Sequence, residues 1–272
     1  MDAHELLAGG GVLVLTGAGM STDSGIPDYR GPGSPRRTPM TFQDFTRSEQ
    51  GRQRYWARSH VGWYRMTEAA PNAGHRALAA LGRAGLVEAV ITQNVDELHR
   101  QAGSEPVVDL HGTLSRVVCL ACGDVSARDR LHERLGALNP GWDSREDIGD
   151  AGTNPDGDIE LDDTADFVVA PCQGCGGMLK PDVVFFGENV PVPRVERCYR
   201  MVEAARVLLV AGTSLTVFSG RRFVARAVRQ GTPVIAVNRG PSRVVDLADV
   251  MVDGGCSEVL SAWASGLTGS PT

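Results

Sequence analysis

At 272 residues the chain is long enough for one well-buried core and a small second lobe. Its formal net charge of -6 argues against a nucleic-acid polyanion as the main partner. The longest apolar stretch, AARVLLVAGTSLTVF, is too short and too polar for a membrane span, and the opening MDAHELLAGGG lacks the basic segment and apolar run of a secretory signal. A cytoplasmic protein that binds neither nucleic acid nor membrane is expected, with a monomer as the preferred state. Six cysteines, four of them in two Cys-x-x-Cys pairs, suit metal binding in a reducing compartment better than a disulfide framework. The cationic side chains are arginines with one exception, Lys180.

In chain order, short apolar runs bounded by turn residues occur at GVLVLTG, LVEAVITQN, EPVVDLHG, RVLLVAGTS, TPVIAVNRG and ADVMVDGG. Several are apolar on both faces, as in strands buried between helices of a parallel sheet. Helical patterns lie between them, at Pro71 to Gly82, Val195 to Ala205 and Ser219 to Gln230. This alternation predicts an α/β fold with a Rossmann-like, doubly wound parallel sheet. Two regions break the rhythm and are assigned to a smaller lobe. Residues 28–70, rich in Arg, Pro and aromatics, read as a loop and a helix, and residues 115–185 carry the paired cysteines and an acidic linker. The Rossmann-like lobe is then expected from residues 12–27, 71–114 and 186–260. Within the linker, NPDGDIELDD lacks the Asp spacing and closing Glu of a calcium loop and is read as solvated.

Cys119-x-x-Cys122 and Cys172-x-x-Cys175 have zinc-ribbon form, because a two-residue gap lets both thiolates of a knuckle face one tetrahedral ion. Four sulfurs close the coordination sphere, so the ion would be structural. Gly17, Ala18, Gly19 and Ser21 end the first strand, where backbone amides can point at a pyrophosphate. A Rossmann fingerprint would place its third glycine where this chain has Thr22. Gly212-Thr213-Ser214 and Asn238 close two further strands, and ligands of open α/β sheets bind at such carboxyl ends. TQNVDELH, from Thr92 to His99, and DLHG, with His111, also follow strands. His111 precedes Gly112 on the side where the glycine turns converge, and a histidine is the natural general base near neutral pH. His4, His60, His75, His99 and His132 are read as structural, and Cys198 as packed in a helix.

Together GAGMSTDSGIPDYR, TQNVDELH, HG, the paired cysteines, LKPDVVFFGE, AGTSL and AVN resemble the sirtuin family of NAD-dependent protein deacylases. RQRYWARSHVGW, LNPGW and PDGD look like its class II branch. The resemblance implies that the Gly-Ala-Gly turn binds NAD as a consumed co-substrate, with a loop closing over the nicotinamide. Ile26, Asp28 and Asp96 would surround that ring, Tyr29 and Arg30 belong to the closing loop, and Gln93 and Asn94 contact the ribose. Thr213, Ser214, Asn238 and Cys256 would line the adenosine end. The acyl-lysine carbonyl oxygen would attack the ribose carbon bearing nicotinamide, giving an alkylamidate. His111 would then act as general base on the ribose hydroxyls, with Asn94 beside the reacting sugar. Val183 would flank the acyl tunnel, and Phe185, Phe186, Gly187 and Glu188 would pair an extended peptide by strand addition.

Tyr55 and Arg58, three apart in RYWAR, share a face if helical and resemble the pair that binds the acyl carboxylate in desuccinylating sirtuins. Acidic acyl groups alongside acetyl are therefore one expectation, and an Arg58 paired with an acidic neighbour is the other. Two further readings stay open: a protein ADP-ribosyltransferase on the same fold, and a non-catalytic NAD-sensing zinc-ribbon adaptor.

Overall fold

The computed structural model describes residues 2–31, 38–144, 154–161, 163–240 and 242–269, so linker residues 145–153 and 162 lie outside it. The strands are β1 (Val12–Thr16), β2 (Val87–Thr92), β3 (Val107–Asp109), β4 (Gly112–Cys119), β5 (Val125–Ala127), β6 (Leu179–Val183), β7 (Val207–Ala211), β8 (Val234–Asn238) and β9 (Val250–Asp253). The helices are α1 (Ala3–Ala8), α2 (Phe42–Arg47), α3 (Glu49–Glu68), α4 (Ala73–Arg83), α5 (Leu98–Gln101), α6 (Arg128–Leu138), α7 (Val192–Ala204), α8 (Phe218–Gln230) and α9 (Cys256–Thr268). The chain divides into two compact units. One comprises Met1–Arg36, Ala70–Leu110 and Val190–Thr272, the other Arg37–Ala69 and His111–Asn189. The loop at Asp28 thus belongs with the parallel sheet and not with the smaller lobe, and the crossing falls directly before His111.

The first unit holds a parallel sheet in the order β3-β2-β1-β7-β8-β9. Each of the six runs read as a strand forms one. Every residue of β1, β7 and β8 is buried, which explains why these segments lack polar alternation. Val12, Val14, Leu209 and Ile235 pack with Leu7 of α1, Leu78 and Leu81 of α4, and Leu260 of α9. Their neighbours Leu13, Leu15, Leu208 and Val210 point to the opposite face and are equally buried. Each such side chain contributes about 1.5–3 kcal/mol by leaving water. The order turns back between β1 and β7, whose ends are in register, Thr16 beside Ala211. This is the switch point of the sheet, where a doubly wound fold leaves a crevice.

The second unit is built on an antiparallel sheet, β5-β4-β6, with α2, α3 and α6. Ser48 caps α3, its hydroxyl accepting from Gly51 N–H at 3.0 Å. Trp56 is fully buried and donates from Nε1 to Leu179 O at 3.3 Å. Arg128, also buried, stacks its guanidinium 5.3 Å from the Trp56 ring and 4.8 Å from Trp63. A delocalised, weakly hydrated cation tolerates such a position better than an ammonium would. Among the described residues no helix is long and apolar enough to cross a membrane.

Two histidines read as structural brace the first unit. Asn72 caps α4 by accepting from His75 N–H, and His75 Nδ1 accepts from Asn72 N–H at 3.3 Å. His99 Nε2 lies 2.9 Å from Thr16 Oγ1, and the two rings meet edge to face at 4.7 Å. Burial pushes His75 down to about 4 and His99 well below its usual value. A depressed histidine makes the folded state bind fewer protons than the unfolded one, so stability is full above the unfolded value of 6.5 and falls as pH drops towards 4. Thermal melts between pH 7 and 4 should therefore lose up to about 3 kcal/mol through His75. In His75→Asn the slope over that window should flatten.

Candidate functional site

At the switch point two turns interlock. Gly17 and Gly19 follow β1, and Gly212 follows β7. A Cβ on Gly17 would lie 2.7 Å from Thr213 Cβ, and one on Gly19 would lie 2.9 Å from Gly212 O. Gly212 has φ of 64°, and a Cβ there would run into Met20 N. Gly19 N–H donates to Gly212 O at 2.8 Å and Gly17 N–H to Ala211 O at 3.2 Å. These glycine amides therefore bond across the turn, which corrects the expectation that they point at a pyrophosphate. What the glycines provide is close approach.

The polar residues predicted around nicotinamide and ribose form a chain beside this lock. Asn94 Nδ2 donates to Ser21 Oγ at 2.9 Å, and Ser21 Oγ donates to Asp96 Oδ2 at 2.7 Å. Asp96 Oδ1 accepts from Leu98 N–H at 3.0 Å, yet burial outweighs these bonds and raises its carboxyl above the usual range. Gln93 Nε2 reaches Thr16 O at 3.2 Å and Thr213 Oγ1 at 3.0 Å, joining the ends of β1, β2 and β7. Ile26 is buried, while Asp28 accepts from Gly31 N–H at 2.7 Å and closes a turn carrying Tyr29 and Arg30.

At the other end Ser214 Oγ lies 3.1 Å from Thr216 Oγ1, and Asn238 Nδ2 donates to Gly240 O at 3.0 Å. Burial pushes the Cys256 thiol up to about 12. Ala18 stands between the two locked glycines, in the short helical turn Ala18–Met20. Sequence reasoning missed Asn72, whose Nδ2 donates to Met20 O at 2.8 Å and ties α4 to the glycine turn. Its signal was an N-cap three residues before a histidine, in place of the usual Glu or Gln.

His111 opens the second segment of the second unit and follows Leu110 directly. Its carbonyl accepts from Val184 N–H at 2.7 Å. Gly112 has φ of 84°, and a Cβ there would collide with Asp182 O, so only glycine permits β4 to approach β6 at this point.

In the same unit the Sγ atoms of Cys119, Cys122, Cys172 and Cys175 all lie within 4.8 Å of one another. The Cys119–Cys175 and Cys122–Cys172 separations are 3.5 and 3.9 Å. A tetrahedron of Zn–S bonds of about 2.3 Å has edges of about 3.8 Å. The donor set therefore fits one zinc ion with no ligand position left open.

Two substrate expectations are corrected. The 185–188 segment is a turn and not an extended edge. Glu188 N–H donates to Phe185 O at 3.0 Å, Phe185 N–H to Glu188 Oε2 at 3.0 Å, and Phe42 N–H to Phe186 O at 2.9 Å. Gly187 O accepts from Gln43 at 3.3 Å. Most of these backbone groups are thus already paired, and Val183 and Phe185 are both buried.

The Tyr55 and Arg58 pair is also occupied. Tyr55 is buried against Phe45, Trp56 and Phe185, and burial pushes its phenol far up. Arg58 bonds Asp158 at 3.1 Å, Glu160 at 2.6 Å and Ile159 O at 2.6 Å. A guanidinium held by two internal carboxylates is not presented to an acyl carboxylate.

A model described as the Sir2 family matches residues 17–219, about three-quarters of the chain. The chain belongs to the Sir2 family. Two relatives of this Sir2 chain are named NAD-dependent protein deacetylase 1. That of Mycobacterium avium (strain 104) is 57% identical over 268 residues, covering 98% of this chain and 95% of the relative. That of Streptomyces coelicolor is 59% identical over 243 residues, covering 88% and 80%. Among solved structures, a Sir2–p53 peptide–NAD+ complex superposes with a TM-score of 0.77 at 29% identity, covering 98% of this chain and 97% of that one.

Atomic absorption should find one zinc per chain, and its removal by a strong chelator should lower the melting temperature, with readdition restoring it. Arg58→Ala should cost roughly 1–3 kcal/mol by leaving the half-buried Asp158 carboxylate without its cation. Residual turnover of acetyl-, succinyl- and glutaryl-lysine peptides should fall in equal proportion.

Proposed function

We propose that this chain is an NAD-dependent protein lysine deacylase. It transfers the acyl group of a modified lysine to the ADP-ribose part of NAD, so that water, NAD and acyl-lysine yield free lysine, nicotinamide and 2'-O-acyl-ADP-ribose. The observation that carries the reading is the interlocked glycine crevice at the β1/β7 switch point, flanked by the Ser21, Asn94 and Asp96 chain. A dinucleotide needs a close backbone approach and a few convergent polar groups, and this crevice offers both. The two deacetylase relatives and the Sir2–peptide–NAD+ structure support the same assignment.

In this reading NAD supplies an electrophilic ribose carbon once its nicotinamide is bound under strain. Ile26, Asp28 and Asp96 enclose that ring, and Tyr29 and Arg30 close over it. Gln93 and Asn94 hold the ribose hydroxyls, while Thr213, Ser214, Asn238 and Cys256 hold the adenosine. His111 takes a proton from the ribose hydroxyls so that a sugar oxygen can capture the acyl carbon. Val183 and Phe185 line the acyl-lysine channel. Acetyl is the acyl group favoured, since Arg58 is neutralised internally.

Incubation with NAD and an acetyl-lysine peptide, read by mass, should give nicotinamide, deacetylated peptide and acetyl-ADP-ribose in equal amounts. His111→Ala should reduce all three about 10²–10⁴-fold while zinc content stays at one per chain. ADP-ribose found covalently on a protein, with no acyl-ADP-ribose, would overturn the assignment in favour of a transferase.

A further inference from the structure

The backbone leading into His111 is held at three successive peptide planes. Leu110 N–H donates to Thr92 O at 2.8 Å, Arg194 Nη1 donates to Leu110 O at 3.1 Å, and Val184 N–H donates to His111 O at 2.7 Å. A peptide unit is planar and trans, so a bond to its carbonyl also fixes the direction of the N–H at its other end. The three bonds therefore define the planes between Asp109 and Leu110, Leu110 and His111, and His111 and Gly112. The last two set φ and ψ of His111 and with them the direction in which its Cα–Cβ bond leaves the chain.

Two of the three anchors are backbone to backbone. The middle one alone comes from a side chain. Arg194 sits in the first turn of α7, its own N–H on Pro191 O at 3.0 Å, with a side chain that is only half-buried. The buried residues of α7 are Val195, Cys198 and Val202. The guanidinium is thus not required for core packing. It supplies a permanently charged donor to a carbonyl whose residue, Leu110, is fully buried.

We propose that Arg194 is a positioning residue for His111. By fixing the Leu110–His111 peptide plane it aims the imidazole without touching substrate or cofactor. This rests on the reading of His111 as the general base.

The test is steady-state turnover of an acetyl-lysine peptide with NAD by the full chain carrying Arg194→Ala, Arg194→Lys, His111→Ala, and His111→Ala with Arg194→Ala. In Arg194→Ala kcat should fall about ten- to a hundredfold, since a displacement of order 1 Å has that effect. The KM for NAD and the melting temperature should stay near those of the parent. Arg194→Lys, which keeps one charged donor, should recover most of the rate. In the His111→Ala background the Arg194 substitution should have no further effect, because its action passes through the missing ring.

An unchanged kcat in Arg194→Ala, or a full additional loss in the double variant, overturns the proposal. Should Arg194→Ala fail to fold, Arg194→Gln, too short to span to Leu110 O from the same backbone, takes its place in every arm. Parent turnover separates the two failures. A parent inactive on acyl-peptides overturns the deacylase reading and this proposal together, whereas an active parent with an unaffected variant overturns this proposal alone.

Discussion

The close approach of the turns after β1 and β7 is the constraint on which the crevice depends. Adjacent parallel strands lie about 4.8 Å apart, and two ordinary turns leaving them side by side would collide. Gly17, Gly19 and Gly212 remove the three Cβ atoms that would stand in the way, and the Gly19–Gly212 hydrogen bond then locks one turn on the other. Ser21 is placed by that lock, and through Ser21 the carboxamide of Asn94 and the carboxyl of Asp96. Gln93 spans the same junction from β2. The sheet thus delivers side chains from three strand ends to one place because the backbone between them is thin.

The second unit solves a different problem, the burial of cations in a chain that has almost only arginine to offer. Arg58 is neutralised by Asp158 and Glu160, while Arg128 lies against two indoles and donates to Ser59 O at 3.2 Å and Ser59 Oγ at 3.5 Å. The single lysine, Lys180, is also buried. Its ammonium donates to the carbonyls of Pro181 and Val183 and pairs with Glu188 at 3.1 Å, and Glu188 in turn receives Phe185 N–H. Burial lowers the lysine and Glu188 opposes that shift. The turn from Phe185 to Glu188 is therefore organised around an internal charge, with Phe185 packed on Phe45 and Tyr55.

The histidines of this chain are held in two different ways. His75 and His99 are fixed by burial and by bonds to their rings, and the same burial keeps them neutral. At His111 the bonds described fall on the flanking backbone, with Gly112 in a conformation that a side chain would not permit. The His111 residue itself is half-buried, unlike His75 and His99.

By itself the sequence determined what depends on local pattern. The central strands β1, β7 and β8 were legible because strands covered on both faces must be apolar throughout, and the zinc centre because a two-residue gap is dictated by thiolate geometry. The glycine turn and the His111–Gly112 step were legible as motifs, since few residues survive a close backbone approach. Tertiary structure decided where groups already have partners. That Gly17 and Gly19 donate across to β7, that Arg58 is claimed by Asp158 and Glu160, and that Phe185 to Glu188 fold into a turn over Lys180 are long-range or conformational facts with no periodicity to announce them. Arg194 is the clearest case: nothing in its neighbourhood along the chain indicates that its guanidinium reaches the carbonyl just before His111, because only the folding of α7 against the end of β3 brings the two together.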